Sequence, residues 1–243
     1  MITPTVILLS LASVATAVIS GVVGMAGGIT LLSLMTFFMP LWQIIPVHGL
    51  VQLTSNSSRC FLLRKSIRRD ILGYFCIGAP IGALIAYLII KEITHKSLFL
   101  IPVALVIFYT LFKPKKLPAI NLPPVGFIGL GVVVGIMSPL MGATGPLLAP
   151  FFLRDNWEKE EIVATKAATQ MLTHLLKIPI FYAISFDYSQ FIPHIILMSL
   201  GAVIGTKLGV MLLGKTSEAV FKKIYQIALF IAGIRILSKI FLV

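Results

Sequence analysis

Two sets of polar side chains recur at helical spacing within otherwise apolar sequence. His48, Gln52, Ser55 with Asn56, and Arg59 follow one another at intervals of three or four residues, which gathers them on one face of a helix. Lys166, Gln170, Thr173 with His174, and Lys177 repeat the series 118 residues later. A charge at the centre of a bilayer costs about 2.5–3.5 kcal/mol on insertion scales, so Arg59, Lys166 and Lys177 require a cavity or a partner. No membrane-embedded Asp or Glu is available to neutralise them, and a buried positive site of this kind is completed by an anion. Glycine-rich stretches add a second kind of donor. GMAGG at 24–28 and GATGP at 142–146 each precede a short apolar run, and Pro146 suits a first helical turn. The free amides at such helix starts, here near Gly27, Gly28 and Gly145, donate to anionic oxygens. Gln52, Asn56 and Gln170 complete the candidate anion-binding set as orienting groups. Imidazoles titrate near neutral pH, which makes His48 and His174 the candidates for carrying coupling protons.

Each of these has a plainer reading. Arg59 and Lys166 lie close enough to cytoplasmic entrances to snorkel, and Gln52 and Gln170 can simply join helices by hydrogen bonds. Gly201, Gly205 and Gly209, spaced by four, read as close-packing positions, while Lys207, Arg235 and Lys239 suit the lipid headgroup region.

The elements that position these groups are membrane helices. Of 243 residues, 58% are hydrophobic and 12% charged, and mean hydropathy is +1.03, which a soluble fold cannot solvate. No Asp, Glu, Lys or Arg precedes Arg59. As one helix that 58-residue opening would run roughly 87 Å against a hydrocarbon core of about 30 Å, so it crosses and returns. Continuous runs such as IPVALVIFYTLF exclude the alternating pattern of a β-barrel. Five segments fit each half of the chain: 4–24, 28–39, 45–63, 70–90 and 97–112, then 124–140, 145–153, 161–185, 192–213 and 219–241. The short second element of each set cannot cross alone and forms a re-entrant hairpin with its predecessor. The expected fold is an all-α polytopic membrane protein of about eight transmembrane helices and two short re-entrant helices.

The halves match in order. GMAGGITLLSLMTFF aligns with MGATGPLLAPFF so that Gly28 meets Gly145 at an offset of 117, the polar stripes match at 118, and GAPIG at 78–82 matches GAVIG at 201–205. Residues 1–116 form the first repeat and 117–243 the second. Arg64, Lys65, Arg68 and Arg69, and then Lys113, Lys115 and Lys116, mark cytoplasmic loops in the first half. In the second half the cations move to GKTSEAVFKK, so the repeats are inverted and both termini are external. The start lacks the basic region of a secretory signal and reads as a permanent span. Cys60 and Cys76 read as small buried thiols. The +12 net charge follows the positive-inside rule and lacks the aromatic-studded patch of a nucleic-acid surface.

GVVGMAGGITLLSLMTFF, GIMSPLMGATGPLLAPFF, VHGLVQLTSNSSRCFLLRKSIRRD and ATKAATQMLTHLLKIPIFY together resemble the TauE/SafE sulfite-exporter family, also described as sulfonate-uptake permeases. The resemblance covers nearly the whole chain, which departs from the usual glycine triplet at Gly27–Gly28 and at Thr144–Gly145. It implies a transporter of sulfite, organosulfonates or related small oxyanions in a bacterial-type inner membrane, with export the favoured direction and no cofactor. The partners are then the anion and the lipid bilayer, without nucleic acid; oligomeric state is not legible. The residues place the anion near the midplane between the third segments, held by Lys177, Arg59 and the helix-start amides. An anion channel shares the same positive lining, and a membrane scaffold or insertase is the further alternative. An enzyme lacks support from any HExxH, GxSxG or Walker sequence or buried carboxylate pair, and a cation transporter would bury acidic sites.

Overall fold

The computed structural model describes residues 3–24, 27–93, 101–102, 105, 109, 120–152 and 157–213. These form eight α-helices: α1 (Pro4–Val23), α2 (Gly27–Met35), α3 (Leu41–Leu62), α4 (Arg69–Lys91), α5 (Gly126–Met141), α6 (Gly145–Phe152), α7 (Lys159–Ala183) and α8 (Ile192–Met211). Short 3-10 turns occupy Arg64–Ser66 and Tyr188–Phe191, and no strand occurs among the described residues. The segment expected at 97–112 lies largely, and that at 219–241 entirely, outside the described residues, as do the basic groups at 113–116 and 215–223.

Local chemistry sets the helix ends. Thr3 caps α1 by accepting from the Val6 amide at 3.4 Å, Pro4 opens the first turn, and Gly24 closes the helix at φ +71°. Gly142 closes α5 in the same way at φ +77°. Both glycines hold a backbone shape that L side chains rarely adopt. Glu158 and Glu161 form a capping box at the start of α7. α3 begins at Leu41, four residues before the expected start; Pro46, inside the helix, breaks the hydrogen-bond ladder there and masks the first turn in the sequence.

The helices pack as an inside-out assembly. Ile7, Leu8 and Leu11 of α1, Ile77, Ile81, Leu84 and Leu88 of α4, and Ile196, Leu200, Ile204 and Leu208 of α8 are exposed at helical spacing. His48, Gln52, Asn56, Thr165, Thr169 and three cations are buried. That inversion suits hydrocarbon surroundings and is unfavourable in water. Pro4–Val22, Arg69–Lys91 and Tyr188–Met211 are long and apolar enough to cross a membrane. α3 and α7 have the length, 22 and 25 residues, and carry the polar stripes. Cys60 is buried as expected, but Cys76 is exposed on the outer face of α4; in an apolar membrane helix, composition does not separate the lipid side from the core side.

Two tight, parallel helix pairs flank the centre. Gly201, Gly205 and Gly209 of α8 lie against Ser10, Val14 and Val18 of α1, where Gly21 meets Gly209, and the Ser13 hydroxyl donates to the Met198 carbonyl at 2.8 Å. Gly78 and Gly82 of α4 lie against Ile128, Val132 and Gly135 of α5. A Cβ at Gly78 or Gly205 would overlap a carbonyl oxygen of the facing helix, so these approaches depend on glycine. Between the pairs, α3 packs on α7 and on α8, with Ser55 and Thr206 hydroxyls hydrogen-bonded at 2.9 Å.

Candidate functional site

α3 and α7 cross antiparallel at the centre of the molecule. Near one end of the crossing the His48 and His174 rings meet edge-on with centroids 6.0 Å apart, and Gly49 backs onto the Lys177 stem. Towards the other end Cys60 packs on Ala167 and Ala168. The polar stripes therefore face each other in opposite order along the crossing.

The first turns of α2 and α6 arrive at this crossing. A Cβ on Gly28 would stand 3.3 Å from Gln52 Oε1, and one on Gly145 would stand 3.4 Å from Gln170 Nε2, so each glutamine lies against a helix start. Pro146 occupies the second position of α6, where the missing amide hydrogen costs no helical bond. His48 Nε2 donates to the Gly28 carbonyl at 2.7 Å, which leaves a buried Nδ1 without a protein partner. Ser20, Gly28, Ile29, His48, Gln52, Asn56, Arg59, Ala143, Gly145, Pro146, Gln170 and His174 line one small cavity of about 10 Å³, the scale of a single water.

The cations are buried and turned inward. Arg59 is 2% exposed, Lys166 0% and Lys177 1%. Arg59 does not snorkel: its Nη1 donates to Asn56 Oδ1 at 3.0 Å and its Nη2 to Ser55 Oγ at 3.3 Å, while Nε is buried without a partner. Lys177 Nζ donates to the Gly142 carbonyl, at the break between α5 and α6, at 2.6 Å. None of the described carboxylates is buried. Arg68 shows what a satisfied cation looks like in this protein. At the mouth of the crossing it pairs with Asp70 at 3.3 Å and Glu161 at 3.6 Å and lies over the Trp157 ring, and these carboxylates raise its already high pKa. Among the described residues no group of three His, Cys, Asp or Glu is placed to hold a metal ion.

Most of the sequence-derived set meets at this cavity. Gly28, His48, Gln52, Asn56, Arg59, Gly145, Gln170 and His174 line it. Lys177 reaches the helix break, and Lys166 is wholly buried on α7 near the Arg59 end. Gly27 opens α2 but packs on the Thr16 carbonyl and the Ser20 hydroxyl of α1. The helix starts at Gly27 and Gly145, and the positive-φ glycines at Gly24 and Gly142, are each separated by 118 residues, so the glycine motifs share the register of the stripes and differ by one residue from the Gly28–Gly145 match. Ser20, Ala143 and the acceptor role of Gly142 went unread. A repeated GxxG, at 24–27 and 142–145, marks the break that holds Gly142 but not its acceptor role. At the Lys177 end a larger recess of about 530 Å³ is lined by Trp42, Phe181, Phe186 and Phe191 with Lys91 and Asp187.

Comparison with known proteins adds the family. No curated protein and no solved structure matches the chain. The family model described as Sulfite exporter TauE/SafE matches residues 9–236, nearly its full length and including every residue of the cavity. The chain therefore belongs to the TauE/SafE sulfite exporter family, a family of multi-pass membrane transporters for sulfite and related sulfur anions.

Proposed function

We propose that this protein is a secondary transporter that carries sulfite or a small organosulfonate across a bacterial-type inner membrane, with export the favoured direction. The observation that carries the reading is the burial of Arg59 and Lys177 beside two helix starts, with no buried carboxylate among the described residues. Such a centre is electrostatically incomplete, and a small oxyanion supplies the missing charge. Gln52 and Gln170, each beside the first turn of a short helix, orient it; His48 and His174 are the groups proposed to carry coupling protons.

Two features support a carrier over an open pore. The cavity is closed down to about one water, so an anion of several heavy atoms enters only as the surrounding helices move. The equivalent helices α3 and α7 run antiparallel, as two inverted repeats at 1–116 and 117–243 require, with external termini. In this reading the aromatic recess near Lys177 is the external mouth and Arg64–Arg69 marks the cytoplasmic side.

The test is thermal stabilisation of the purified protein across sulfite, sulfate, thiosulfate, taurine and small carboxylates. A sulfur oxyanion at a hundred times its Kd should stabilise by about 2.7 kcal/mol. Indifference to every anion would refute the reading. Gradient-driven flux in liposomes without counterflow or proton dependence would favour a channel.

A further inference from the structure

Arg59 and Lys177 hold matching places in the two halves of the chain, and so do Gly24 and Gly142, the positive-φ glycines at the helix breaks; both intervals are 118 residues. The matching pairs behave differently. Lys177 reaches the glycine carbonyl of its own half at 2.6 Å. Arg59 donates instead to Asn56 and Ser55 of its own helix. Its buried Nε has no partner, and a guanidinium with five N–H groups keeps further donors free for an incoming acceptor. One cation is committed to backbone, and the other is open to the cavity.

We propose that the α3–α7 crossing contains two anion stations in series, one at the Arg59 guanidinium and one at the Lys177 ammonium, and that the Gly142 carbonyl closes the second in this structure. The inference rests on the transport reading above and replaces the single site shared by both cations. The Lys177 stem packs against Gly49, whereas the Arg59 head lies beside Ser55 and Asn56. Those levels are about 9 Å apart along α3 at the helical rise. Lys177 Nζ is engaged by the Gly142 carbonyl, so an anion at the Arg59 fork has one cation to bond and not both. The planar fork at Arg59 suits a ligand with two or more oxygens on one centre, such as sulfite or a sulfonate. Passage to Lys177 then requires the anion to displace the Gly142 carbonyl, and a glycine at that break lets the peptide turn away. Gln52 and Gln170 stand between the stations at the two helix starts.

The test compares the full-length wild type with Arg59→Gln, Lys177→Met and Lys177→Gln, each checked for monodisperse elution. Sulfite binding is measured by calorimetry in detergent, and sulfite exchange in liposomes. Arg59→Gln should weaken binding at least thirtyfold, the usual scale for losing a direct buried contact to a charged ligand, roughly. Arg59→Lys, which keeps the charge without the fork, should fall between it and the wild type. Both Lys177 variants should still bind, weakened by no more than about twentyfold through loss of a charge that does not touch the bound anion, and should lose exchange. Lys177→Gln retains a donor for the Gly142 carbonyl, which keeps the test valid if the methionine variant does not fold. Loss of binding in the Lys177 variants as complete as in Arg59→Gln, undiminished binding in Arg59→Gln, or wild-type exchange without Lys177 would each overturn the two-station arrangement. A wild type that binds no sulfite would instead overturn the transport reading beneath it.

Discussion

Replacing Arg59 with methionine should make the empty protein more stable while abolishing its response to anions. The side chain is 2% exposed and faces no carboxylate. Removing a membrane-embedded charge recovers about 2.5–3.5 kcal/mol on insertion scales. Against this, Ser55 keeps its bond to Thr206 at 2.9 Å and the Asn56 amide keeps the Gln52 carbonyl at 2.8 Å, so only Asn56 Oδ1 loses its partner. An orphaned buried acceptor costs about 1–3 kcal/mol. The net is stabilising by about 1 kcal/mol, which for a chain of this length raises the midpoint by about 2–4 °C. Thermal unfolding in detergent, in a buffer without small oxyanions, reads the first effect; adding sulfite should then raise the wild-type midpoint and leave Arg59→Met unmoved. A fall of more than 5 °C in the unliganded variant, roughly the reverse of that gain, would refute the reasoning, because it would mean that Arg59 is satisfied structurally instead of awaiting a ligand.

The remaining predictions concern packing and a surface turn. Gly205→Ala and Gly78→Ala drive a methyl group into a facing backbone carbonyl and should each cost about 1–3 kcal/mol; Gly73→Ala and Gly129→Ala, where nothing lies within 4 Å, should raise stability by about 0.5–1 kcal/mol, and the four midpoints measured side by side check the contrast. Asp187 accepts from the Ser189 hydroxyl at 2.6 Å, the Gln190 amide at 3.0 Å and the Ser189 amide at 2.9 Å, and these bonds hold its carboxyl below the usual carboxylate range. Its contribution is therefore present above about pH 4 and is lost as pH falls through the lowered value, so Ser189 amide exchange should be protected at neutral pH and deprotected in strong acid or in Asp187→Ala.

Much of this site was legible because charge is scarce in hydrocarbon. Arg59, Lys166 and Lys177 stand out in apolar sequence, and helical spacing alone assigns His48, Gln52 and Asn56 to the face of Arg59. Their placement relative to one another across the two helices was not legible. Sequence spacing orders residues along α3 or along α7, but the register in which two helices cross is a tertiary property, and here it sets His48 beside His174, Gly49 against Lys177 and Cys60 against Ala167. Cys76 failed for a related reason, since an apolar span has two apolar sides. Gly142 as an acceptor was unreadable because every residue carries a carbonyl, and only the path of the Lys177 side chain distinguishes this one.

The parallel pairing of α1 with α8 also constrains how the protein is made. Ser13 finds its partner at Met198, 185 residues further along the chain. At about 5–20 residues per second, α1 emerges from the ribosome some 10–40 s before the surface that completes it. During that interval its small-residue face, with Ser13, Ala17 and Gly21, is presented to lipid or to the insertion machinery instead of to its native neighbour. The α1 surface around Ser13 therefore waits for a partner, α8, that is synthesised much later.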